Sequence, residues 1–396
     1  MVVALLVLSL ASTAFSQAVT GSISGTVKDS TGAVLPGAQV VLLNQDTGFT
    51  RTVQSDAAGR YLATSLPLGD YQVTATLQGF QTQVRSGIVL TVGREAVVDL
   101  ELSVGAVTQT VEVFGEAAAI ETTNATISGL VDQEQIRDLP LNGRSLTDLT
   151  LLNPGVFYNR TTGNSPSDGM GPRLSINGGR QESNLYLIDG INATDRTGGA
   201  ATSSGATLGV EAVREFRVLT HNFSVEYGRN SGGVVSLVTR SGTNQFHGSL
   251  YEFVRNNIFD ARDFYNRGGQ GKPPFRRNQF GAAAGGPVVR DRIHFFANYE
   301  GLRQRLAQSY VTSVPDANAR RGLLPDPARP GQLRQVNVSP LIAPYLNDLT
   351  LWPLPNDRLF GDGTGQYIVD QSLPLTENFG MGRMDFRLGD NDNFYL

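Results

Sequence analysis

The stretch YGRNSGGVVSLVTRSGTNQFHGSLYEF, residues 227–253, sets two apolar runs on either side of a basic, glycine-bearing turn. It admits three readings: a phosphate-cradling loop, a plain hairpin turn, or a joint between two structural units. A phosphate loop needs Gly-Lys-Ser/Thr leading into a helix, and neither follows here. VVSLVT instead has the β-branched character of a strand, introduced by Gly232 and Gly233. The hairpin and joint readings are separated by what lies downstream.

Downstream, IHFFANYE alternates. Ile293, Phe295, Ala297 and Tyr299 share one face, and His294, Phe296, Asn298 and Glu300 share the other, mostly polar one. FGMGRMDFRL does the same, with Gly382, Met384, Phe386 and Leu388 opposite Met381, Arg383, Asp385 and Arg387. FHGSLYEFVR reads as a strand with apolar residues on both faces, and RRNQFGAAAGG as a strand of small residues. The connections run long (256–276), short (PVVRDR, 287–292), very long (303–377, carrying nine prolines from Pro315 to Pro374) and short (GDND, 389–392). An outer-membrane barrel sorts its connections this way, with short periplasmic turns and long outer loops. The pattern predicts four full strands and the start of a fifth at Asn393–Leu396. So few strands cannot close or satisfy their edges in lipid, so the chain is expected to be the N-terminal part of a longer one.

Upstream, residues 21–103 have period two. Tyr71, Val73, Ala75 and Leu77 face one way against Gln72, Thr74, Thr76 and Gln78, and Ala96, Val98, Leu100 and Leu102 repeat the pattern. Turn signals such as DSTG (29–32), DAAG (56–59) and PLGD (67–70) separate about seven short strands, which predicts a β-sandwich. Between sandwich and barrel, residues 117–240 mix helix and strand. Leu146, Leu149 and Leu152 stand at helical spacing ahead of Asn153-Pro154-Gly155, RLSINGG and SNLYLIDGIN read as two strands joined across a Gly-Gly turn, and VREFRVLT and GGVVSLVTR supply two more.

Two resemblances follow from these residues. Ser24–Leu42, Asp56–Tyr61 and Leu66–Phe80 resemble the carboxypeptidase regulatory-like domain, which implies a transthyretin-like sandwich classed with carbohydrate-binding-like folds and lacking peptidase activity. LYLIDGIN, VREFRVLTHNFSVEYG and NSGGVVSLVTRSG resemble, in that order, the plug of TonB-dependent outer-membrane receptors, and LPLNGRSLTDLTLLNPGV (139–156) resembles their Oar-like branch. Barrels of such transporters have about 22 strands. The resemblance implies that TonB pairs as an added strand with a short extended segment before the plug. Thr110, Val111, Glu112 and Val113 have the position and character of that TonB box, with a structural connector strand as the alternative. The opening stretch then becomes a plug-to-barrel hinge at Gly232, Gly233, Arg240, Ser241 and Gly242.

The expected organisation is mainly β: a signal peptide over 1–18, a seven-stranded sandwich over 19–104, a linker over 105–116, an α/β plug over 117–243, and the first strands of a large antiparallel transmembrane barrel over 244–396. Val2–Leu10 form an apolar run too short to span a bilayer as a helix, and ASTAFSQA suits cleavage after Ser16 or Ala18. No Lys or Arg precedes that run, so the start is expected to lie inside a longer signal peptide. The 45 glycines in 396 residues exceed the usual share of about 7% and punctuate short apolar runs, as in a turn-rich β protein. Cysteine is absent, which removes disulfides, thiolate metal sites and cysteine nucleophiles. A net charge of −4 gives no basic footprint for nucleic acid.

Catalytic and metal motifs do not assemble. His221, His247 and His294 lie on different segments with no ligand partner at helical spacing, GxSxG and HExxH do not occur, and GQGKPP (269–274) lacks the Walker spacing. GDGTG (361–365) reads as loop, and Asp189 and Glu226 as turn or cap residues. No enzyme, cofactor or metal is expected. The expected partners are TonB, outer-membrane lipid and an unidentified small ligand, glycan or peptide, in a cell outer membrane with the sandwich in the periplasm. The alternative is a surface binding or adhesion protein using the barrel as a platform without active transport.

Overall fold

The computed structural model describes residues 19–105, 110–114, 125–139, 146–158, 174–195, 199, 209–228, 230–261, 272, 274–389 and 393–396. The signal-peptide expectation over 1–18 lies outside them. The chain divides into two compact units: residues 1–250, 281–300 and 379–396 form one, and residues 251–280 and 301–378 the other.

In the first unit, two sheets enclose the core expected from the period-two pattern. One carries β1 (Gly21–Asp29); the other carries β2 (Gln39–Asn44) and β3 (Thr50–Gln54). They continue through β4 (Arg60–Leu66), β5 (Gly69–Thr76) and β6 (Thr82–Leu90), then β7 (Glu95–Val97), β8 (Leu100–Leu102) and β9 (Thr110–Phe114). The first sheet runs β4-β1-β7 with β8 also on β1, and the second runs β3-β2-β5-β6-β9. β7 and β8 pair parallel with successive halves of β1. They are one line of chain interrupted at Val98-Asp99, where Val98 N–H donates to Ser24 O and Asp99 Oδ1 accepts from Thr26 N–H. Counted so, the sandwich has seven strand lines before β9. Tyr71, Val73, Ala75, Ala96, Val98, Leu100 and Leu102 all point inward and are buried. Burying side chains of this size removes apolar surface from water at about 25 cal/mol per Å², which is what holds two sheets of short strands together.

The next sheet is mixed. It is formed by β10 (Ile127–Val131), β13 (Leu185–Ile188), β14 (Ile191–Asn192), β15 (Val213–His221) and β16 (Val234–Thr239) in the order β10-β15-β16-β13-β14. β16 runs antiparallel to β15 and parallel to β13, and all six of its residues are buried. Two outcomes differ from the sequence reading. RLSINGG does not pair with SNLYLIDGIN: its strand β12 (Leu174–Ile176) pairs with β11 (Val156–Tyr158), and a turn of 3-10 helix at Gln181–Ser183 carries the chain away before β13. Leu152 does not join Leu149 in the core. The helix over Leu146–Leu149 tightens to 3-10 at Thr150–Leu152, which changes the residues per turn, so Thr150 is buried and Leu152 is 60% exposed. Asn153 and Gly155 end it as expected, Gly155 at φ 81°. Helix α1 (Gln133–Asp138) starts in a capping box in which Asp132 accepts from Gln135 N–H and the Gln135 side chain reaches back.

The last sheet runs β17-β18-β19-β22-β23, comprising β17 (His247–Asn256), β18 (Phe275–Val289), β19 (Ile293–Pro315), β22 (Thr364–Arg387) and β23 (Asn393–Tyr395). This is the expected four strands and start of a fifth. β19 and β22 are much longer than read, so the long connection is 316–363 rather than 303–377. Polar residues on both strands, and Pro374 on β22, masked the continuing strands. On β19, His294, Phe296, Asn298 and Glu300 are buried while Tyr299 is 45% exposed, so the polar face is the inner one and the apolar face looks outward, inverse to a soluble protein and as a barrel in lipid requires.

The second unit holds the remaining parts of these strands and the long connection, which folds on itself. It includes a small hairpin of β20 (Leu323–Pro325) and β21 (Leu333–Gln335). Buried Arg320 lies in a short helix capped by Asp316, and its guanidinium donates to the carbonyls of Leu346, Trp352 and Pro353.

Gly25 faces the interruption at Val98: a Cβ there would collide with the Val98 carbonyl, which also accepts the Tyr61 hydroxyl at 2.6 Å. Gly25→Ala is expected to cost about 1–3 kcal/mol from overpacking. Tyr61→Phe, which deletes one hydrogen bond, is expected to cost about 1 kcal/mol. Chemical-denaturation midpoints of the sandwich transition check the order.

Candidate functional site

Three polar arrangements in the first unit bear on what the protein does. The first closes β16. Asp189 sits in the tight turn between β13 and β14 at φ 48°, a left-handed conformation that Asp tolerates better than most residues. This aims its carboxylate along the end of β16: Oδ1 accepts Thr239 N–H at 2.9 Å and Oδ2 accepts the Thr239 hydroxyl at 2.5 Å. Arg383 of β22 completes it, reaching Asp189 Oδ2 at 3.4 Å and Thr239 Oγ1 at 2.8 Å while pairing with Asp385 at 2.8 Å. The Tyr395 hydroxyl of β23 donates to Asp189 O at 3.1 Å, and its ring lies 4.5 Å from the Arg383 guanidinium carbon. A turn aspartate, a plug strand and two barrel-type strands thus share one low-dielectric charge cluster. It lines a cavity of 290 Å³ together with Phe49, Leu68 and Arg214.

The second arrangement ties the sandwich to the mixed sheet. Val92, just after β6, donates its N–H to Glu215 Oε1 at 2.6 Å, and its carbonyl accepts Arg217 Nη1 at 2.8 Å. Both side chains come from the same face of β15 and both are buried. Leu68, Val92 and Val238 pack beside them, and Arg214 Nη1 donates to Leu68 O at 3.3 Å. Burial raises the Glu215 carboxyl above its ordinary value of 4.5, with Arg214, the Val92 N–H and Arg217 pulling the other way. The sandwich also meets the short turn between β18 and β19. Asn244 donates its N–H to Asp46 O and its Nδ2 to Asp291 Oδ1, and Arg387 donates to Gly48 O.

The third is the strand β9, which carries Thr110–Val113. It pairs parallel with β6 in the register Thr82↔Thr110 to Ser86↔Phe114, at the end of its sheet.

The glycines singled out by sequence serve close approach. Gly232, Gly233 and Gly242 all have ordinary φ, but a Cβ on them would strike Asn184, Ile176 and the Phe295 carbonyl respectively. Arg240, directly after β16, pairs with Glu211 at 2.9 Å and stacks over Phe296, and Ser241 lies beside it lining the 290 Å³ cavity. His221, His247 and His294 are scattered, meeting Asn177, Gln245 and Asn244 in turn. No group of three or more metal-type side chains occurs among the described residues. The Glu226 side chain lies outside the described residues. Sequence reading missed Glu215, Arg217 and Arg383. The signal was present: opposite charges two apart on one strand, Glu215 with Arg217 and Arg383 with Asp385.

A β-sandwich, a buried mixed sheet and polar-inward strands with sorted connections define the class: a plugged outer-membrane barrel protein. Comparison with known proteins gives the family. Residues 22–103 match the Carboxypeptidase regulatory-like domain, 119–235 the TonB-dependent Receptor Plug Domain, and 238–396 the Outer membrane beta barrel domain. The TonB-dependent transporter Oar of Myxococcus xanthus is 32% identical over 305 residues, covering 73% of this chain and 27% of that protein. The ferrienterobactin receptor of Escherichia coli K12 is 25% identical over 214 residues, covering 50% and 28%. The crystal structure of the outer-membrane transporter YddB from Escherichia coli aligns with a TM-score of 0.41 at 17% identity, over 66% of this chain and 31% of that one. The chain carries, in order, the regulatory-like, plug and barrel domains of the TonB-dependent outer-membrane receptors, and it spans about a quarter of the length of the Myxococcus and ferrienterobactin relatives. These relatives are named as a transporter and a receptor, not as enzymes.

Breaking a buried ion pair by removing one partner costs about 3–5 kcal/mol. Arg383→Met strands both Asp189 and Asp385 and is expected to fall in that range; Asp189→Asn is expected to cost less, because Arg383 keeps Asp385. Thermal unfolding in detergent reads the difference. For Glu215, the raised carboxyl contributes stability that is complete below 4.5 and is lost as pH rises through the folded value. Glu215→Gln keeps an acceptor for Val92 N–H and is expected to flatten the pH profile of sandwich–plug stability in that window.

Proposed function

We propose that the protein is an energy-coupled transporter that takes up a small ligand, glycan or peptide through a plugged barrel, drawing on the inner membrane through TonB. The observation that carries this reading is the combination of a plug strand latched to the barrel strands through Asp189, Thr239 and Arg383 with an extended strand, Thr110–Phe114, standing between the sandwich and the plug. A latch of charged hydrogen bonds holds the plug at rest and lets it go without unravelling an apolar core, because water can replace its partners. TonB pairs with the box Thr110, Val111, Glu112 and Val113 by main-chain hydrogen bonds. Pulling there loads the plug, and the joint Arg240–Ser241–Gly242, with Gly232 and Gly233 packed at the start of β16, is where the plug gives way relative to the barrel. The domain limits that go with this reading are 19–104 for the sandwich, 105–116 for the linker, 117–243 for the plug and 244–396 for the barrel strands. Ligand capture belongs to the long connections.

The expected outcome of deleting residues 108–114 is a receptor that still reaches the outer membrane and still binds labelled glycans or oligopeptides found by surface screening. It no longer accumulates them in response to the proton-motive force. Undiminished accumulation would overturn the coupling role of this segment, and surface binding with no accumulation even in the unaltered protein would favour a binding or adhesion platform.

A further inference from the structure

We infer that the sandwich presents the coupling strand to TonB: TonB adds to the outer edge of β9 while β9 stays paired with β6, making one sheet across the two proteins. This rests on the reading of Thr110–Val113 as the TonB-pairing segment. In the sheet order β3-β2-β5-β6-β9, β9 is terminal, so one row of its N–H and C=O groups meets β6 and, among the described residues, no strand meets the other row. The chain is already laid on this edge before β9 begins. Gln81 N–H donates to Ser103 O at 2.8 Å, and Gly105 N–H to Gly79 O at 3.2 Å.

Hydrogen-bond bookkeeping favours addition over displacement. Peeling β9 from β6 to pair it with TonB exchanges one ladder for another and leaves the β6 edge bare, whereas adding TonB outside β9 gains a ladder and loses none. The sandwich has also fixed the backbone of β9 in extended form, so its ordering cost falls on folding and not on binding. The arrangement gives the pull a second route to the plug besides the linker. β9 is parallel to β6, so a load along β9 shears the whole ladder at once. It then passes along β6 to Val92, whose N–H and C=O are both held by Glu215 and Arg217 of β15.

The test uses the full chain in detergent and a purified C-terminal periplasmic fragment of TonB as the probe. Val84 faces Glu112 in register, and adjacent strands lie about 4.8 Å apart, within reach of a disulfide, which needs Cα atoms about 4.4–6.8 Å apart. The chain has no other cysteine. The double variant Val84→Cys, Glu112→Cys is expected to form the bond on mild oxidation and to bind the fragment as tightly oxidised as reduced, within about threefold, less than the tenfold that corresponds to 1.4 kcal/mol. Failure to form the bond, or a loss of tenfold or more on oxidation, overturns the inference in favour of displacement. On the unsubstituted chain, which needs no variant to fold, amide exchange at Thr82–Ser86 is expected to stay slow when the fragment binds while Thr110–Phe114 slows further; faster exchange at Thr82–Ser86 overturns it equally. Deleting Thr110–Phe114 separates the two levels. If that deletion leaves fragment binding intact, the coupling reading itself falls; if it abolishes binding, the oxidation and exchange results decide how the strand is offered.

Discussion

The carboxylate of Asp189 is the constraint on which the first unit turns. β16 is buried on both faces, and its last N–H and the Thr239 hydroxyl must find acceptors away from water. The β13–β14 turn supplies both from one side chain, held in place by a left-handed backbone. A lone carboxylate there would be costly, and Arg383 from β22 neutralises it. The requirement to satisfy one strand end thereby fixes the plug against the barrel strands.

The sandwich meets the plug by a different physics. Its main core is apolar, and its attachment adds to the small apolar cluster of Leu68, Val92 and Val238 a set of charged side chains that hold single backbone groups: Val92 held from both sides by Glu215 and Arg217, Leu68 by Arg214, Gly48 by Arg387. Such contacts fix position while leaving the two main cores as separate clusters.

Much of this was legible in the residues. Alternation divided the two faces of β5, β19 and β22, because a strand has a period of two and burial on one face leaves a plain signature. The sorted connection lengths placed the strands in a membrane, and the structure then showed that the polar face of β19 is the buried one. Strand ends were less legible: β19 and β22 run on through polar residues, and β22 through Pro374, because neighbouring strands, rather than local preference, decide where pairing stops. Leu152 was misplaced because a shift from α to 3-10 geometry turns on local hydrogen bonds that spacing alone does not reveal.

By itself, then, the sequence determined the classes of its parts and their order: an apolar-cored sandwich, a mixed plug sheet, and strands made for lipid. Those follow from periodicity and turn residues, which act over a few positions. Only the tertiary structure decided the partners: that Asp189 would face Arg383 nearly two hundred residues on, that Glu215 and Arg217 would hold Val92, and that Thr110–Phe114 would lie along β6. These contacts depend on how separate sheets are brought together, and no local pattern encodes which distant charge or strand edge will be nearest once they are.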